Sequence, residues 1–151
     1  MFTLSHAIAV NPEGAEIILT QEEVWRGLEM KAENALPFVP GMAKCEVLER
    51  GEGWLLREVI FKGHQVQEKI LFRAPTQVHF ERMDGGGFIE NTISTSDNGL
   101  LLTFTFGLVF PGCPEGSQAE RDHGESMKGD YIGAVAATLA KVRAMKLAGT
   151  L

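Results

Sequence analysis

The chain has 151 residues, 44% of them hydrophobic and 23% charged, with a formal net charge of −6 at pH 7. This suits one domain, residues 1–151, large enough to bury a sizeable core. The acidic balance and the absence of a basic run argue against nucleic acid or an anionic membrane surface as a partner.

The first residues, MFTLSHAIAVNPEG, lack the basic start and continuous apolar run of a signal peptide. Phe2 to Val10 has strand-type content and ends at the turn-forming Asn11-Pro12-Glu13-Gly14. Thr20-Gln-Glu-Glu23 is a capping-box signature, and the helix it opens carries Val24, Trp25, Leu28 and Ala32 on one side. Pro37 and Pro40 limit ALPFVPGM to a turn or a short helix. From Ala43 to Phe110 the pattern predicts antiparallel strands, with turns at Arg50–Gly53, Lys62-Gly63, Ala74-Pro75-Thr76, Asp84–Gly87 and Ser96–Gly99. The most apolar stretch, GLLLTFTFGLVF, is too short for a helical membrane span. A polar segment, PEGSQAERDHGESMKGD, then leads to an amphipathic helix expected from about Tyr131 to Leu147, with Tyr131, Ile132, Val135, Leu139 and Val142 on its apolar side.

This order predicts an α+β helix grip: a curved antiparallel sheet of six to seven strands wrapped around a long C-terminal helix, with room for a cavity between them. It is similar to that of the START-type, birch-pollen-allergen-like (Bet v 1-like) superfamily, also called SRPBCC. LTQEEVWRGLEMKAENALPFVPGMAKCEVLERG, LLREVIFKG, VHFERM, the Asn91-Thr-Ile segment, LLLTFTF and YIGAVAATLAKVR together resemble the AtaL-like family. The resemblance covers most of the chain and implies a fold rather than a reaction.

The hairpin LLREVIFKGHQVQEKI carries the main functional signal. Folded about Lys62-Gly63, one face reads Leu55, Arg57, Val59, Phe61 against Ile70, Glu68, Val66, His64. The opposite face is wetter at its centre, so the first face points inward and takes Arg57 and Glu68 with it. Val78, Phe80 and Arg82 continue that face on the next strand, which can bring Arg82 beside Glu68. Pairing across Ser96–Gly99 sets Ile93 against Leu102, Asn91 against Phe104 and Ile89 against Phe106, with Asn91 among aromatics.

A buried charge is costly unless paired and hydrogen-bonded. The polar set is therefore a half-solvated structural pair at the sheet's end, a polar anchor for a ligand, or, for Glu68, an acid/base group. As a ligand site it has Leu55, Val59, Ile70, Phe80, Leu102, Phe104 and Phe106 as walls. Arg57, Glu68, Asn91 and Arg82 orient a polar end, and Tyr131 closes the cavity or simply packs in the core.

Other motifs carry less. Asp122, His123 and Glu125 lack a second nearby histidine and suit a solvated helix entry better than a metal site; no metal or cofactor is expected. Asp84-Gly-Gly-Gly87 is flanked by strands and so is a turn, not a phosphate loop. Cys45 and Cys113 form no metal-type spacing and read as free thiols of a reducing cytoplasm; Cys45 falls near Arg57 in the expected pairing.

Three functions remain open. The first is a binder of a small hydrophobic or amphipathic molecule. The second is an enzyme of the polyketide cyclase/aromatase kind, which the resembled superfamily also contains. The third is a partner-binding domain like its co-chaperone members, with a filled cavity and Trp54 and Leu56 exposed outside.

Overall fold

A computed structural model describes residues 1–151. The elements are β1 (Phe2–Ala9), α1 (Gln21–Glu33), β2 (Met42–Gly51), β3 (Trp54–Phe61), β4 (His64–Arg73), β5 (Gln77–Arg82), β6 (Gly87–Ser94), β7 (Leu101–Leu108) and α2 (Gln118–Ala148). The seven strands form one antiparallel sheet in the order β1-β7-β6-β5-β4-β3-β2. After β1 the chain crosses through α1 to the far edge and meanders back strand by strand. α2 then packs against β1, β7 and α1. This is the expected helix grip.

Local chemistry accounts for the parts the sequence made visible. Thr20 Oγ1 accepts from Glu23 N and Glu23 Oε1 accepts from Thr20 N, closing the capping box. Lys62 and Gly63 both have positive φ, 49° and 79°, as a two-residue turn with strand-matched twist requires. The β3–β4 register follows: Leu55 faces Ile70, Arg57 faces Glu68 and Val59 faces Val66. Residues 35–41 form turns.

Two expectations need correction. Cys45 pairs with Val59, while Val47 lies opposite Arg57. The Cys45 thiol instead accepts from Ala35 N at 3.4 Å.

The C-terminal helix begins at Gln118, well before Tyr131, and its 31 residues span roughly 46 Å. Gly124 and Gly129 and a run of charges hide its first turns from a periodicity reading. Tertiary contacts hold them. Phe2 lies so close to Gly124 that a Cβ there would meet its ring at 2.2 Å. His123 sets its ring edge against Phe110. Glu120 accepts from Gly116 N and pairs with the N-terminal ammonium. The overlooked signal is Ser117-Gln-Ala-Glu120, with Ser117 Oγ accepting from Glu120 N.

The core fills the concave side of the sheet. Phe80, Phe104, Phe106, Ile70 and Leu102 meet Val24 and Leu28 of α1 and Val135, Leu139 and Val142 of α2 in one contiguous cluster. The two helices approach closely at Gly27, where a Cβ would lie 2.4 Å from a methyl of Val142. Gly27→Val should therefore destabilise the fold by roughly 1–3 kcal/mol through overpacking. A lower urea midpoint with an unchanged m value is the expected reading. Val142→Ala in the same chain should restore part of it, because it removes the methyl that is struck.

Candidate functional site

The inward face of β3 and β4 buries Arg57 and Glu68, each 4% exposed. Arg57 Nε and Nη2 both donate to Glu68 Oε1, at 3.0 and 2.9 Å. Arg57 Nη1 donates to the carbonyls of Lys31 and Ala32, each at 3.0 Å. These carbonyls belong to the last turn of α1, whose final C=O groups have no partner within the helix. Arg57 thus ties α1 to the sheet, with its cation at the negative end of the helix dipole. Four of its N–H bonds are committed to protein acceptors.

A second buried pair lies beside the first. Lys31, at the position where the Val24–Leu28 stripe reaches its next turn, is 7% exposed and donates from Nζ to Asn91 Oδ1 at 2.9 Å. Its ammonium also lies 5.0 Å from the Phe80 ring centroid and 4.7 Å from that of Phe104. Burial, and then the charge of Arg57, push this amine down to about 7, with Glu68 opposing. Sequence reasoning missed Lys31. The available signal was a lysine continuing an apolar stripe at i+7 from Val24.

Asn91 is fully buried, between Val78 of β5 and Phe104 of β7. Its Oδ1 is satisfied by Lys31, but its Nδ2 has no hydrogen-bond partner. The β4–β5 register sets Arg82 opposite Glu68, as anticipated, yet no ion pair joins them. Arg82 Nε is also buried without a partner. Both orphaned atoms are donors. Buried polar groups are nearly always bonded, so two such donors on one inner face stand out.

The apolar residues expected as walls are all buried. Leu55, Ile70, Phe80, Leu102, Phe104 and Phe106 belong to the contiguous core, whereas Val59 and Val66 are buried outside that cluster. Tyr131 is half-buried and stacks on Phe106 with ring centroids 4.7 Å apart. Burial raises its phenol, and the nearby Arg82 charge opposes that rise.

Two open depressions lie elsewhere. One, about 350 Å³, is bounded by Glu22, Glu23, Arg26 and Lys146 near the start of α1 and the end of α2. The other, about 440 Å³, lies by Glu58, Gln65, Val66 and Met83. Neither is lined by Lys31, Arg57 or Asn91. No helix is long and apolar enough to cross a membrane.

A family model described as acetylaranotin biosynthesis cluster protein L matches residues 4–149. No curated protein matches in sequence. Among solved structures, the ZhuI aromatase/cyclase from Streptomyces sp. R1128 superposes with a TM-score of 0.70 at 18% identity, covering 99% of both chains. The di-domain aromatase/cyclase StfQ of the steffimycin biosynthetic pathway gives a TM-score of 0.68 at 12% identity, over 97% of this chain and 52% of that one. This chain therefore spans about half of that protein. Ara h 8.0201 gives a TM-score of 0.52 at 13% identity, covering 93% of this chain and 97% of that one. At these identities the likeness is one of fold.

Proposed function

The chain belongs to the AtaL family, and from that membership and the buried polar face we propose that it holds a small, mostly apolar molecule with a polar end inside the grip. The single observation that carries this reading is the pair of orphaned donors, Asn91 Nδ2 and Arg82 Nε, on a face otherwise built from apolar side chains. A ligand site is an apolar wall with a few convergent polar groups, and an acceptor on the ligand relieves the cost of leaving those donors unpaired. Arg57 and Glu68 are mainly positioning residues in this scheme, since their hydrogen bonds run to each other and to α1. In this scheme Tyr131, stacked on Phe106, swings aside to admit the ligand.

The test is native mass spectrometry of the freshly purified protein, together with a titration of the uncharged dye Nile red. A co-purifying small molecule, or saturable dye binding that Tyr131→Ala alters, is expected. A chain that carries nothing and binds no apolar dye would leave the filled-cavity, partner-binding alternative.

A cyclase-like activity is the second reading. Its supporting observations are the fold shared with two aromatase/cyclases and a buried carboxylate, Glu68, beside an amine held at about 7. Turnover of a reactive polyketone that Glu68→Gln abolishes would favour it over simple binding.

A further inference from the structure

We propose that Lys31 and Asn91 form an anion site, with Arg82 further along the same inner face adding positive charge, and that the molecule held in the grip carries one ionised acidic oxygen group, a carboxylate or an acidic enol. This deepens the binding reading above and rests on it.

Three cationic side chains, Lys31, Arg57 and Arg82, lie on or beside the inner face, against one carboxylate, Glu68. Arg57 and Glu68 neutralise each other at 2.9 Å. Arg82 has no ion-pair partner and a buried, unbonded Nε, and Lys31 reaches only a neutral amide and two aromatic faces. The face therefore lacks an anion, and where Lys31 meets Asn91 it offers an ammonium and an unpaired amide N–H side by side. A neutral carbonyl satisfies the amide but leaves the charge excess; an ionised oxygen group satisfies both.

Asn91 adds a positional constraint. Because Lys31 occupies Oδ1, Nδ2 is left as the unpaired donor, and its hydrogen bond can be made only to an acceptor.

The arrangement also couples binding to a proton. The charged groups facing Lys31 are Arg57 on β3 and Glu68 on β4; its other neighbours there are Phe80, Asn91 and Phe104, with His6 on β1 opposite Phe104. An anion beside the amine favours its ammonium form, so a protein whose Lys31 is half neutral near pH 7 takes up a proton as the anion enters.

The experiment titrates the intact protein with naphthoate and with hydroxynaphthoquinone, an acidic enol. Their neutral methyl ester and methyl ether run in parallel, with Nile red displacement as the common readout. Each anion should bind more tightly than its neutral partner, and above about pH 7 should weaken by up to roughly tenfold per pH unit while the neutral partner does not. Which anion binds more tightly separates the carboxylate source from the enol. Calorimetry at about pH 8, in buffers of different ionisation enthalpy, should register uptake of close to one proton per naphthoate (about 0.9). That uptake should persist in His6→Gln and vanish in Lys31→Met. The wild-type calorimetry stands even where a variant fails to fold.

Equal affinity and equal pH dependence for anion and neutral partner would overturn the anion site, as would naphthoate binding without proton uptake. If Nile red binds and neither anion competes, this inference falls while the apolar-binding reading stands. If Nile red does not bind either, both fall together.

Discussion

Arg57→Met should lower the stability of the fold by about 3–5 kcal/mol, the loss expected when one partner of a buried ion pair is removed. The substitution leaves the Glu68 carboxylate, 4% exposed, without the two N–H groups that now bind its Oε1. It also strips the carbonyls of Lys31 and Ala32 of their shared donor, loosening the end of α1. These two costs can be separated. In Arg57→Met/Glu68→Leu the stranded charge is gone but the α1 carbonyls stay unsatisfied, so the double variant should recover only part of the loss. Urea unfolding of the four members of the cycle measures both contributions. A full recovery would mean that α1 does not need Arg57. A single-variant loss below about 1 kcal/mol would mean that the pair is as weak as an exposed one.

The second large effect is a pH dependence of stability that belongs to Lys31. Its amine stands at about 7 in the folded chain against 10.5 for the free side chain, lowered first by burial and then by Arg57. Below about 7 both folded and unfolded states hold the proton, and the folded state carries the whole cost of burying the charge. Between about 7 and 10.5 only the unfolded state holds it, so unfolding takes up a proton and stability rises with pH. Above 10.5 neither state is protonated and the cost has gone. The slope in that window should be roughly 1 kcal/mol per pH unit. The N-terminal ammonium and Lys44 are raised by carboxylate partners and act in the opposite sense at high pH. The informative quantity is therefore the difference between the wild type and Lys31→Met. The wild type should gain on the variant as pH climbs from about 7 to 10; parallel curves would show that Lys31 keeps its proton in the folded chain. Anionic ligand should shift the onset of that gain to higher pH, because it holds the ammonium form in place.

The sequence by itself determined the sheet and which residues its inner face buries. Side chains alternate along a strand with period two, and a one-residue slip in β3–β4 would bury Lys69, Gln67 and Glu58 in place of Ile70, Val66 and Val59. The Lys62-Gly63 turn leaves only one register that avoids that slip, so the Arg57–Glu68 pairing and the inward Asn91 could be read from spacing alone. The apolar stripe and capping box of α1 were legible for the same reason: they are properties of neighbours within a few residues.

What only the tertiary structure decided was the destination of groups that are locally ambiguous. Lys31 sits in a helical stripe where a solvated lysine at the rim is the ordinary outcome. It is buried because the end of α1 is drawn onto the sheet by Arg57 and leaves the amine between Phe80, Phe104 and Asn91. Arg82 was placed opposite Glu68 by register, but its lack of a partner shows only once Arg57 is seen to occupy that carboxylate. The first half of α2 has weak local preference for a helix, with glycines at 124 and 129, and is held by Phe2, Phe110 and the N-terminal ammonium. Contacts of this kind join residues from 13 to 122 positions apart. Short-range periodicity does not encode them, because which helix end lies over which strand is set only when the whole core packs.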